Sequence, residues 1–193
     1  MKNKEPEDII LDKILQGDPV ACRLIIDKYK IFAFNIALKI TGNREDAEEI
    51  TQDSFLKAFK SLSGFNRTSK FSTWLYRITF NMAVSKTRKK KVFFQDIYYE
   101  NSSEVKTEVA DFPSEELEKT EIKKILEAAM NQLSQDDNLL LTMYYMEEMS
   151  MAEVAEITGL EENNVKVKIH RARKKLHQLL KIKLKGELDN LYG

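Results

Sequence analysis

Residues 150–176 read SMAEVAEITGLEENNVKVKIHRARKKL, and this stretch decides the fold class of the 193-residue chain. It predicts two helices joined by a turn of about three or four residues at Gly159. Ser150 and Glu153 have the spacing of a capping box, with the hydroxyl accepting from an amide of the first turn and the carboxylate reaching back. Ala155 stands before Gly159 and Val165 after it, the small, turn, apolar order of a helix-turn-helix. The small residue lets two helices approach, glycine takes a positive φ, and valine packs the second helix back. That second helix is then a reading helix. Glu162, Asn163, Asn164, Lys166 and Lys168 are offered to base edges or phosphates, and Arg171, Arg173, Lys174 and Lys175 continue along it. Between Lys166 and Lys185 there are nine Lys or Arg residues and no acid. A solvated basic helix in an ordinary bundle would carry such a bias too, but the bias together with the turn spacing favours DNA.

Six glycines and three prolines in the whole chain disfavour turn-rich β architectures and indicate an all-α fold. Most of them punctuate periodic segments. Asp18 and Pro19 read as an N-cap and first helical residue, followed by Cys22, Ile25, Ile26, Tyr29, Ala33, Ile36 and Ile40 at helical spacing until Gly42. Asn43, with Asp46 three residues on, caps a second helix whose inner face is Ala47, Ile50, Thr51, Ser54, Phe55, Ala58, Phe59 and Leu62. After a loop, a third helix has the stripe Phe71, Trp74, Leu75, Ile78 and Met82 and runs out into Lys86, Arg88, Lys89, Lys90 and Lys91. From 92 to 113 periodicity disappears. This segment holds five acids, one lysine and the cluster Phe93, Phe94, Tyr98 and Tyr99, an acidic aromatic linker. Ser114 caps a further helix with Leu117, Ile122, Ile125, Leu126, Ala129 and Leu133 inward, and Ser134 with Asp137 opens another through Leu139 to Met146. The expected organisation is two small helical domains, 1–91 and 114–193, joined by the linker 92–113.

Two more constellations carry chemistry. From Gly64 to Lys91 there are eight basic residues and no acid, interleaved with Phe65, Phe71, Trp74, Tyr76 and Phe80. Basic side chains follow a phosphate backbone while aromatics stack on unpaired bases, so the composition suits single strands. Phe71, Trp74, Leu75 and Ile78 share a stripe and are better read as core, leaving Phe65 and the loop's polar atoms for a base, with Arg67, Lys70, Arg77 and Asn81 as contacts. The helix NREDAEEITQDSFLKAFKSL gathers Glu45, Asp46, Glu48, Glu49, Gln52, Asp53 and an outward Leu56 on its outer face. Acids in a first turn merely suit the helix dipole. Acids continuing to Asp53 beside an outward leucine read equally as a protein-binding face or a solvated one.

These three segments, in this order, resemble the extracytoplasmic-function sigma factors, small bacterial subunits that direct RNA polymerase to promoters. DAEEITQDSFLKAFKSL is similar to the family's helix for docking on the polymerase clamp, FSTWLYRITFNMA to its strand-opening helix, and the stretch ending HRARKKL to its promoter-reading domain. The resemblance implies a clamp contact through Asp46, Glu49, Gln52, Asp53 and Leu56. It implies that Phe65 to Ser72, including Asn66, Arg67, Ser69 and Lys70, capture a flipped base of the −10 element, with Asn81 behind them and Arg77 and Arg88 on the DNA. It implies that Asn163, Asn164, Lys166, Val167, Lys168, His170, Arg171, Arg173 and Lys174 meet the major groove at the −35 element. It further implies core RNA polymerase, duplex and melted promoter DNA and an anti-sigma factor as partners, a monomer when free, and a linker that threads into the polymerase near the template strand. Four residues bear on how far the chain follows the pattern. Ser85 stands where many members carry Asp; Val167 cannot make a bidentate base contact; Glu161 and Glu162 repel phosphate unless they accept from cytosine amino groups.

Other classes fit less of the chain. A stand-alone helix-turn-helix regulator explains residues 150–180 but neither the basic aromatic loop nor the acidic linker. An enzyme is poorly supported: His170 and His177 lie on a basic helix, Cys22 reads as core, and there is no phosphate loop, metal-spaced ligand set or nucleophile with a partner. No catalytic residue, metal or cofactor is expected. The single cysteine excludes an intramolecular disulfide, and with no secretory signal or membrane-spanning run the expected location is the cytoplasm. Net charge is zero by cancellation: residues 1–91 carry +7, 92–121 and 122–165 carry −7 each, and 166–193 carry +7. Two basic ends bracket an acidic middle.

Overall fold

A computed structural model describes residues 6–87 and 117–192, and every regular element among them is helical. In order these are α1 (Pro6–Leu15), α2 (Pro19–Thr41), α3 (Arg44–Lys60), a 3₁₀ turn (Leu62–Gly64), α4 (Phe71–Lys86), α5 (Leu117–Met130), α6 (Gln135–Leu141), a π-helical turn (Thr142–Met146), α7 (Met151–Thr158) and α8 (Glu162–Tyr192). Two compact units result, one built of α1–α4 and the other chiefly of α5–α8. The linker with its four aromatics, Arg88 to Lys91 and the expected cap Ser114 lie outside the described residues.

Local chemistry sets the ends of α2 and α3. Asp18 accepts from the Val20 amide at 2.8 Å with Pro19 opening the helix, and Gly42, at φ 65, closes it by donating to the Leu38 carbonyl at 2.8 Å. Asn43 Oδ1 accepts from the Asp46 amide at 2.9 Å and starts α3 at once. The core of the first unit is where α2, α3 and α4 meet, and aromatics dominate it. Phe32 and Tyr76 meet edge to face at 4.8 Å, and Tyr29 lies 5.9 Å from Phe71. The α3 face is as expected, except that Phe59 is half-buried.

Two stripes differ from expectation. On α2 the buried set is Ala21, Ile25, Tyr29, Phe32, Ala33, Ile36, Ala37 and Ile40, so Cys22 and Ile26 fall to the half-buried flank. On α4 the buried residues are Phe71, Thr73, Leu75, Tyr76, Thr79, Phe80, Ala83 and Val84, while Trp74, Ile78 and Met82 are half-buried. Buried hydroxyls make this possible: Thr79 donates to the Leu75 carbonyl of its own helix at 3.2 Å. Helix α1, which the sequence did not announce, packs Leu11 and Ile14 inward.

In the second unit Ser134 Oγ accepts from the Asp137 amide at 3.2 Å and begins α6. The buried Asn138 amide donates to the Met130 carbonyl at 2.7 Å and so ties α6 to the end of α5. The expected single helix to Met146 instead stops at Leu141. There the Glu147 amide reaches the Thr142 carbonyl, five residues back, and the widened turn leaves Met143 buried but Tyr145 and Met146 exposed. Among the described residues no buried side-chain nitrogen or oxygen lacks a hydrogen-bond partner, and no helix is long and apolar enough to cross a membrane.

Candidate nucleic-acid interface

The outer face of α3 presents Glu49, Gln52 and Asp53 to solvent with Asp46 half-buried, and Leu56 is 55% exposed among them. Part of this acidic face is matched within the chain. Lys86, in the last turn of α4, places its ammonium 2.8 Å from Asp46 and 2.6 Å from Glu49, and those two hydrogen bonds raise its pKa to about 12. Between the two helices Glu49, Asp53 and Lys57 line a groove of about 350 Å³ opposite Asn81, Ser85 and Lys86. Asn81 therefore lies beside the acidic face. Ten residues into α4, it is about 15 Å along the axis from the loop.

That loop, residues 65–70, is held by bonds within it and by contacts with α1 and α4. The Phe65 ring stacks on Trp74 at 4.9 Å and 26° and meets the Phe71 edge at 5.9 Å, so it is half-buried on an aromatic floor. Asn66 Oδ1 accepts from the Thr68 amide at 3.1 Å and from its hydroxyl at 2.8 Å. Arg67 adopts φ 58, and its guanidinium bonds to Asp12 and lies 3.4 Å from Asp8, both on α1. Ser69 and Ser72 are half-buried, Lys70, Arg77 and Asn81 are exposed, and Arg88 lies outside the described residues. The contribution of α1 was not visible in the sequence, because its carboxylates lie more than fifty residues from the arginine they meet.

At α7 the capping box is formed reciprocally: Glu153 accepts from the Ser150 amide at 2.8 Å, and the Glu153 amide donates to Ser150 Oγ at 3.2 Å. Gly159, at φ 73, makes the turn into α8. Along α8 Val165, Ile169 and Ala172 are buried, and Lys175 pairs with Asp137 of α6 at 2.8 Å. One helix face is thus anchored. Asn163, Asn164, Lys166, Val167, His170, Arg171, Arg173 and Lys174 are all exposed, Lys168 is half-buried on the flank, and Val167, 47% exposed, sits in the middle of the outward face. Glu161 and Glu162 are exposed at its amino-terminal end.

The sigma-70 region 2 family model matches residues 25–92, and the sigma-70 region 4 model matches residues 123–176. The ECF RNA polymerase sigma factor SigW of Bacillus subtilis is 30% identical over 181 residues, spanning 89% of this chain and 95% of that one. The chain belongs to the ECF sigma factors. A sigma-E factor of Haemophilus influenzae is 27% identical over 90% of the chain and 94% of its own length. Among solved structures, CnrH in complex with the cytosolic domain of CnrY shares the fold at a TM-score of 0.61 and 20% identity, over 92% of this chain and 99% of that one. RpoE of Bartonella quintana, solved with the anti-sigma factor NepR, shares it at 0.58 and 23%, over 83% and 96%. In this sigma factor the region 2 match takes in the acidic face of α3, the loop and α4, and the region 4 match takes in the capped turn and the outward face of α8. Helix α1 precedes both.

Proposed function

We propose that this sigma factor divides its work by segment, with residues 1–91 binding core polymerase and opening the −10 element, 92–113 linking, and 114–193 reading the −35 element. The observation that carries the proposal is the one-sided burial of α8. Three apolar residues anchor it, and eight of the nine candidate contacts point outward after a capped, glycine-turned entry, as a helix laid in a major groove requires. Arg171, Arg173, Lys166 and Lys174 suit phosphates and guanine edges, and Asn163 and Asn164 suit adenine. Val167, central on the face, offers only apolar contact to a thymine methyl, so −35 discrimination rests on its neighbours.

At the −10 element an extruded base needs a stacking surface and polar groups for its edges. The Phe65 ring on its Trp74 support supplies the first, and Asn66, Ser69, Lys70 and Ser72 the second. Arg77, Asn81 and Arg88 then follow the separated strand along and beyond α4, where Asn81 stands next to the acidic groove. Asp46, Glu49, Gln52, Asp53 and Leu56 meet a basic, partly apolar surface on the polymerase clamp. The chain performs no covalent step in this scheme and needs no cofactor. An anti-sigma factor belongs to the same proposal, supported by the RpoE relative having been solved with one.

The test separates opening from docking. In holoenzyme, Phe65→Ala and Asn81→Ala should weaken permanganate reactivity of −10 thymines while the variants still pull down core polymerase. Equal loss of both activities would sink the assignment of the loop.

A further inference from the structure

We propose that α1 is a positioning element for the promoter loop, with Asp8 and Asp12 holding Arg67 as a strut; this rests on the loop meeting the −10 strand. Arg67 is the loop's non-glycine residue in the left-handed region, at φ 58. Such a residue persists where its surroundings over-determine it. Here they do. One guanidinium nitrogen bonds to Asp12 and another lies 3.4 Å from Asp8, while both carboxylates and the arginine side chain are about two-thirds shielded from water.

The same helix also grips the aromatic floor. Glu7 accepts from the Tyr29 hydroxyl and from Lys28 Nζ at 2.8 Å. Tyr29 lies 5.9 Å from Phe71, and Phe71 lies 5.9 Å from Phe65. Leu11 and Ile14, buried on the inner face of α1, keep the three carboxylates in place. Carboxylates on the first two turns of α1 therefore hold the loop through the Arg67 side chain and support its base-stacking ring through Tyr29 and Phe71. An Arg67 already matched by two carboxylates is a poor phosphate ligand, because an approaching phosphate meets Asp8 and Asp12 as well. It is a good strut. Ordering the loop before DNA arrives removes an entropic cost from base capture.

The experiment is a charge swap read in holoenzyme and in the free sigma factor. Trp74, the one tryptophan of the chain, stacks on Phe65 and reports loop order through acrylamide quenching. Asp8→Asn/Asp12→Asn and Arg67→Asp should each slow −10 opening roughly three- to tenfold. Each should increase Trp74 quenching and leave core binding and thermal stability nearly unchanged. Joining Arg67→Asp with Asp12→Arg should recover both opening and quenching. The strut is overturned if the carboxylate variant opens DNA normally or faster while Arg67→Asp is slow, or if the swap stays as slow as Arg67→Asp. In either case the arginine meets DNA. Normal opening by Phe65→Ala would instead overturn the loop assignment on which the strut depends, and so distinguishes the two failures.

Discussion

Gly159 sets the direction in which α8 leaves α7, and replacing it by alanine isolates one physical effect. Its φ of 73 is left-handed, and a Cβ built there meets nothing within 4 Å. Gly159→Ala therefore creates no clash, only the strain of an L-residue in that region, about 1–2 kcal/mol. Loss of freedom in the unfolded chain returns about 0.4–1 kcal/mol. A net destabilisation of about 1 kcal/mol remains, which lowers Tm by roughly 4–8 °C in a unit of this size. Gly64 is the control. Its φ lies outside the left-handed range and a Cβ there also meets nothing within 4 Å, so Gly64→Ala should be neutral or stabilising. Asn tolerates left-handed backbone, so Gly159→Asn should fall between Gly159→Ala and the parent. Calorimetry of the full chain measures all three. If Gly159→Ala proves as stable as Gly64→Ala, the turn is not left-handed in solution and the helix-turn-helix geometry is wrong.

Reversing Asp46, Glu49 and Asp53 to lysine should abolish co-purification with core polymerase, whereas Lys86→Ala, which frees two of those carboxylates, should not weaken it; unchanged binding by the triple variant would show a merely solvated face. Arg171→Ala should weaken −35 binding across sequences and lower the slope of log K on log salt by about one unit, while a sequence-selective loss would mean that Arg171 reads a base. Burial pulls Lys39 on α2 down to about 8. Between that value and its ordinary 10.5 the unfolded chain holds the extra proton, so this group makes stability rise with pH from about 8 to 10. Chemical denaturation across that range should show the rise in the parent and a flatter profile in Lys39→Met.

Helix ends were legible because each is announced by two or three neighbouring residues. Asp18-Pro19, Asn43 with Asp46, Ser134 with Asp137 and Ser150 with Glu153 all form the bonds that their spacing predicts. The face that a helix buries was less legible. On α4, Tyr76, Thr73 and Thr79 look half polar, yet a threonine hydroxyl can be satisfied by its own helix, as Thr79 is by Leu75, and the whole side chain then enters the core. Trp74 was displaced to the flank, where it supports Phe65. Hidden altogether were the ion pairs that cross the fold. Arg67 reads as a phosphate contact within a basic stretch, and Lys86 as one more cation before Arg88. Their partners, Asp8 and Asp12 for one and Asp46 and Glu49 for the other, lie in separate helices and come near only after packing. The loop's aromatic content was visible in composition; its rigidity was not.

In vitro transcription on a genomic promoter library shows whether this chain starts transcription by delivering core polymerase to promoters. With purified core polymerase the chain should yield transcripts from a discrete set of promoters, and fewer of them when the loop carries Phe65→Ala. Tight binding of the chain alone to duplex half-sites, with no transcript above that of core polymerase, would make it a stand-alone helix-turn-helix regulator instead.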